Sequence, residues 1–376
     1  MSGLLHTRLR GLWPCHARAG VVLALALASS GIGKSSAARP PPLPRDMLPA
    51  SLDVDKLPRG LDGPRAMPPD NPLTSARVEL GRKLFFDPLL SRDRTVACAS
   101  CHDPSHGFAS RDPVAIGIEG KQGRRNAPTI LNRAFAASLF WDGRQPTLEA
   151  QATKPIEDPL EMANTVEEVV RRLRAHADYP AKFRAAFGEP PNAANLAKSL
   201  AAFQRVLLLG ASRVDAFRAG EVTQLNELEK HGLWLWESKG ACWKCHSGPN
   251  FTDEQFHNTG VSWGSADTGR DGVTRADADR GRFKTPTLRG VAWTAPYMHD
   301  GSVATLEAVV EFYNKGGRAN PNLDASIKPL DLDAREVRAL VAFLRALSEG
   351  EGPAGPLNLP PQSAPAQPAK SGDAKK

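Results

Sequence analysis

Apolar residues recur at helical spacing through a body of roughly residues 73 to 350, and the two ends of the chain lack that pattern. "TVEEVVRRLRAH" opens with Thr165 and carries Glu168 three residues on, the signature of a capping box. "AANLAKSLAAFQRVLLLG" keeps the helical repeat and is expected to stop at Gly210. "TLEAVVEFYNKGG" starts after a Thr305 N-cap and ends at Gly316-Gly317, and "DAREVRALVAFLRALSEG" closes the body. Alternating stretches rich in β-branched residues are absent, so the expected fold class is mainly α.

Outside the body, residues 39–72 read as a proline-rich extended leader and residues 351–376 as a tail disordered by composition. At the N-terminus, Arg8, Arg10 and Arg18 precede the apolar run "AGVVLALALASSGIG", which is short for a bilayer span, and Ser36, Ala37 and Ala38 follow it. The pattern predicts a signal peptide over residues 1–38, cleaved near Ala38, and export to the periplasm; the alternative is an uncleaved anchor. The formal charge of +7 drops by four when Arg8, Arg10, Arg18 and Lys34 leave with that segment. No concentrated basic footprint for nucleic acid remains.

Of the five cysteines, Cys15 falls in the signal. The other four, Cys98, Cys101, Cys242 and Cys245, form two Cys-x-x-Cys pairs, each followed directly by a histidine, His102 and His246. Two disulfides would give no reason for those histidines. A zinc ribbon would place its pairs about 15 to 20 residues apart, whereas 140 residues separate Cys101 from Cys242. The motif instead predicts two covalently bound haem c groups, each held by two thioethers with the adjacent histidine as proximal iron ligand. Each motif sits near the start of its own half, which suggests two haem domains, 73–220 and 221–350. His106, four residues beyond His102, would share its face if the helix continued, so it is expected at the surface or near a propionate rather than on the iron. Pro104 also disturbs the backbone there.

Six stretches in order, "CASCHDPSHGFAS", "RRNAPTILN", "FWDGR", "CWKCHSGPNFTDEQFHNTG", "FKTPTLRGVAWTAPYMHDG" and "TLEAVVEFYNKGG", make the chain resemble the bacterial di-haem cytochrome c peroxidase family, and within it the MauG-like branch. The resemblance covers about residues 75 to 348 and implies two cytochrome c-like haem domains, the N-terminal one peroxidatic and the C-terminal one for electron transfer. In typical members a second histidine reaches the first iron from a loop that here reads "VAIGIEGKQGRRNAP". Ile118 or Glu119 stands at that position, so the resemblance implies an iron open to hydrogen peroxide; Glu119 by itself reads as a solvent-facing acid.

The same resemblance assigns Glu161 as the acid-base group, with Gln151 and Pro155 at other distal-pocket positions. It also places Trp141 between the two haems, although on its own Trp141 reads rather as a core aromatic with a satisfied N–H. For the second iron it points to Tyr313, which shares a helical stripe with Leu306, Val309 and Val310; the competing readings are a core tyrosine and ligation by Met298. His257 and His299 read as structural or haem-contacting residues. A calcium ion between the domains is implied, with Asn126, Thr294 and Pro296 as ligand positions.

The expected function is therefore an exported di-haem oxidoreductase. It reduces hydrogen peroxide at the first haem and passes oxidising equivalents through Trp141 to a His/Tyr-ligated second haem. Its electrons come from a small redox protein or an oxidisable protein substrate, and a homodimer is compatible with the family. The alternatives are an ordinary peroxidase with a cytochrome c or cupredoxin donor, and a di-haem electron carrier. A carrier requires both irons permanently six-coordinate.

Overall fold

A computed structural model describes residues 57–63 and 65–348. The expected signal (1–38), the first part of the leader and the tail (351–376) lie outside the described residues. Among those described, the α-helices are α1 Ser75–Phe85, α2 Cys98–Cys101, α3 Leu148–Ala152, α4 Lys154–Glu157, α5 Val166–Ala175, α6 Tyr179–Phe187, α7 Ala193–Arg205, α8 Arg213–Arg218, α9 Glu227–Glu237, α10 Asp271–Thr274, α11 Leu306–Asn314 and α12 Ala334–Ala346. The sheet is a single two-residue pair, β1 Phe256–His257 antiparallel to β2 Phe283–Lys284, with Phe256 opposite Lys284. The fold is thus helix-rich with little sheet, as the pattern predicts. No helix among the described residues is long and apolar enough to cross a membrane.

Two helix pairs of the same construction organise the chain. In the first, α1 crosses α7 so closely that a Cβ on Gly81 would lie 1.9 Å from the Ser199 carbonyl oxygen. In the second, α9 crosses α12, and a Cβ on Gly232 would lie 2.0 Å from the Ala339 carbonyl oxygen. One turn beyond each glycine an aromatic pair seals the crossing: Phe85 with Phe203 at 5.2 Å, and Trp236 with Phe343 at 5.7 Å. Each pair nucleates its own apolar cluster. The first gathers Leu84, Phe108, Ile156, Phe183 and Leu200, the second Leu235, Phe251, Val310 and Leu340.

Local chemistry departs from the sequence reading in three places. Thr165 Oγ1 does accept the Glu168 N–H at 3.1 Å, but the reciprocal half of the box is missing. The Glu168 carboxylate is drawn to Arg171 and Arg172, and the Thr165 N–H donates to Asn164 Oδ1 instead. Helix α7 ends at Arg205, not Gly210. There the buried side chain of Asn132 captures the backbone, accepting the Leu209 N–H at 2.7 Å and donating to the Leu209 carbonyl at 2.9 Å. Residues 206–209 stay buried after leaving the helix, so the apolar repeat does not register the break.

The described part of the leader is the third departure. It contains no helix or strand, yet it is packed onto the body: Leu61 is buried, Ala66 N–H donates to the Ala134 carbonyl, and the Gly60 carbonyl accepts from Arg289.

Candidate active site

The first Cys-x-x-Cys-His motif is formed by α2 and the residue that caps it. One helical turn brings Cys98 and Cys101 to the same side, and burial pushes their thiols up to about 12 and about 11, so both are held protonated. His102 Nδ1 lies 3.1 Å from the Phe108 carbonyl oxygen. A carbonyl only accepts, so Nδ1 carries the proton and Nε2 keeps its lone pair for a metal. The second motif repeats the arrangement: His246 Nδ1–H donates to the Phe251 carbonyl at 3.1 Å. Burial lowers the pKa of both histidines, which keeps the imidazoles neutral as ligation requires.

A cavity of about 1550 Å³ opens from the first motif. Cys98, Cys101 and His102 line it together with Trp141, Gln151, Pro155 and Glu161. Residues from both halves of the chain thus converge on one space, since Lys284, Pro286, Thr287 and His299 line it too. Glu161 follows α4 on the wall of the cavity. Burial, reinforced by the charge of Asp158 and opposed by Arg144, pushes its carboxyl up to about 7. A carboxyl poised there is suited to exchange a proton near neutral pH.

Trp141 is tied in by both ends of its residue. Its Nε1–H donates to the Asn126 carbonyl at 2.9 Å, and its own carbonyl accepts the Lys284 N–H at 2.8 Å. Its ring lies 6.3 Å from that of His299, which stacks on Phe283 at 3.4 Å and pairs with Ser262. In the loop that lacks a histidine, Ile118 is fully buried while Glu119 turns outward to Arg92 and Lys121.

His106 is a correction in position. The motif's helix does not continue to it but ends at Cys101, and residues 104–106 form a separate 3₁₀ turn led by Pro104. His106 is buried rather than at the surface, and its Nε2–H donates to the Ala295 carbonyl. It ties the motif to the segment 294–296, where Thr294 packs against Gly107. Asn126 meets the same region through its N–H, which donates to the His299 carbonyl at 2.8 Å.

Around the second motif, Tyr313 projects from α11. Burial raises its phenol above the usual range, and the charges of Cys245 and Cys242 add to the shift. Met298 instead precedes His299, a wall residue of the first cavity. His257 is clamped between two carboxylates, Asp324 at 2.6 Å and Asp253 at 2.9 Å. Contact with Cys245 and these two acids pushes its pKa up to about 10. Cys245, Asp253 and His257 are also close enough together to hold a metal ion. A thioether at Cys245 would remove the thiolate from that set.

Sequence reasoning missed the buried Arg133 and Lys284 on the cavity wall, both paired with Glu254 behind them. It also missed the Arg125 pairs with Asp142 and Asp267 at the cavity's edge. Arg133 and Lys284 lie inside or beside the quoted motif stretches, but a lone basic residue there carries no signal of its burial.

A neutral, correctly tautomeric histidine behind each pair of turn-spaced cysteines, one of them opening into a large cavity, defines a c-type haem protein. The family model for di-haem cytochrome c peroxidase matches residues 75–223, and a RoxA-like, cytochrome c-like model matches residues 282–315. The chain is 43% identical over 284 residues to the methylamine utilization protein MauG of Methylorubrum extorquens, covering 74% of this chain and 80% of that one. It is 36% identical to the cytochrome c551 peroxidase of Nitrosomonas europaea, covering 80% and 86% of the two chains. Its fold matches the crystal structure of a MauG-like protein associated with microbial copper homeostasis, with a TM-score of 0.74, 35% identity and coverage of 80% and 97%.

The chain belongs to the di-haem cytochrome c peroxidase family. It is a haem peroxidase of the oxidoreductase class, and haem c is the cofactor that the family implies.

Proposed function

We propose that the chain forms two cytochrome c-like haem domains, 73–220 and 221–350, each built on one of the two helix pairs, and that hydrogen peroxide is reduced in the first. The observation that carries this reading is the shared cavity, which puts Cys98, Cys101 and His102 in one space with Glu161, Gln151 and Trp141. The donor set fits haem: two half-buried thiols for thioethers, an imidazole whose Nδ1 faces a carbonyl, and a cavity large enough for a porphyrin. Bound haem supplies the iron at which peroxide is reduced.

The protein's own residues supply the rest. Glu161 takes the proton from one peroxide oxygen and returns it to the other, which leaves as water. Buried Ile118 and outward-turned Glu119 offer the first iron no second ligand. Trp141, fixed by its N–H to Asn126, is the aromatic conduit between the halves. At the second site His246 and Tyr313 are the residues that would hold the haem iron. Asn126, Thr294 and Pro296, gathered near His106 and His299, are the proposed calcium positions. The protein works in the periplasm and draws electrons from a small redox protein or an oxidisable protein substrate.

Peroxide-dependent oxidation of a reduced cytochrome c or cupredoxin by the holoprotein tests the assignment of sites. Replacing Cys98 and Cys101 by Ala is expected to abolish turnover. Turnover that survives this change would place the reaction elsewhere.

A further inference from the structure

On the wall of the first cavity, two buried cations share one carboxylate. Arg133, from the first half of the chain, is 9% exposed, and Lys284, from the second half, 6%. Glu254 faces both, with Oε2 3.0 Å from Lys284 Nζ and Oε1 3.4 Å from Arg133 Nη1. Lys284 Nζ also donates to the Ser138 carbonyl at 2.6 Å, and Arg133 Nε to the Leu131 carbonyl at 3.2 Å.

The cluster is left one negative charge short, and Arg133 Nη2 is buried without a hydrogen-bond partner among the described residues. A buried cation without its counter-charge is expensive to maintain, by several kcal/mol per ion in order of magnitude. Both side chains line the cavity that contains His102, Cys98 and Cys101. The charge balance calls for an anion, and the flat, carboxylate-bearing group that the motif attaches there brings one. Guanidinium and ammonium groups bind carboxylates through short, charge-assisted hydrogen bonds.

We propose that Arg133 and Lys284 clamp a propionate carboxylate of the haem attached at Cys98 and Cys101, with Glu254 trimming the excess positive charge. Because Lys284 comes from the second half of the chain, the clamp makes the first haem's electrostatics depend on how the two halves are docked. Burial and the charge of Arg133, against the pull of Glu254, bring the Lys284 ammonium down to about 8, which agrees with a site that lacks part of its counter-charge.

The inference rests on the cavity being a haem site, so mass spectrometry of the wild-type holoprotein comes first. Absence of haem from Cys98 and Cys101 would defeat that reading itself. With haem present, spectroelectrochemical titration reads the clamp. A neighbouring cation favours the reduced iron, which carries one positive charge fewer. Lys284→Met is expected to lower the first haem's midpoint potential, leave the second's in place and shift the propionate bending band in the resonance Raman spectrum. Lys284→Arg should restore both signals. Glu254→Gln should move the first potential the opposite way, upward, which a loss of packing would not do.

Arg133→Gln provides the same downward test should Lys284→Met fail to fold. Unchanged potentials, or a shift confined to the second haem, would overturn the clamp. A shift seen only in phosphate buffer would assign the pair to a free anion and overturn it as well.

Discussion

Glu161 is the residue whose environment says most about chemistry. Its carboxyl stays protonated up to about pH 7 because burial and Asp158 disfavour the charged form. In the proposed role its carboxylate form accepts the proton, so peroxidase activity should rise with pH through about 7. Glu161→Gln should remove that limb and cost on the order of 10²–10⁴-fold in turnover; steady-state pH profiles of the two proteins check both. Tyr313 carries the second residue-scale prediction. If its oxygen ligates the iron, Tyr313→Met should raise the potential of the second haem, because His/Met ligation favours the reduced state. An unchanged potential in redox titration would count against ligation. Both residues were legible in the sequence only through their matched surroundings, since a lone acid and a helix-face tyrosine are ordinary features. The fate of His106 was not legible: its burial depends on Ala295, a contact 189 residues away in sequence.

At the scale of elements, the close crossings of α1 with α7 and of α9 with α12 explain why a glycine occurs inside each first helix. Gly232→Ala would drive a methyl into the Ala339 carbonyl, 2.0 Å away. It should destabilise the protein by about 1–3 kcal/mol, as overpacking does, measured by denaturant unfolding of the holoprotein. Helix α8 is anchored differently. Its N3 residue Asp215 accepts from Ser212 and pairs through both oxygens with buried Arg289 at 2.7 and 2.8 Å. Burial pushes the Asp215 pKa up, but the hydrogen bonds and charge of Arg289 outweigh it, and the net shift is downward. Its contribution is therefore present above the ordinary aspartate range and lost as pH falls through the depressed value. Asp215→Asn leaves Arg289 buried and unpaired, which should cost about 3–5 kcal/mol, read from the same unfolding curves. The helices themselves were legible because their apolar repeat and caps are local. The end of α7 was not, because the backbone leaves the helix to meet the side chain of Asn132 while its apolar residues remain buried.

For the whole molecule, the two motifs, their order and the mainly helical body could all be read from the chain, because thioether spacing and helical periodicity are encoded within short windows. The convergence could not. Only the fold shows that residues from both halves, His102 and Glu161 with Lys284 and His299, line one cavity. Nor does the sequence reveal that the end of the leader is sewn to the body through Gly60 and Arg289. The central claim is that this cavity holds an iron with one face open, whereas the second iron is closed by Tyr313. The electron paramagnetic resonance spectrum of the resting ferric holoprotein tests it most directly. One high-spin and one low-spin haem in equal amounts are expected; two low-spin haems would mean that neither iron has an open face.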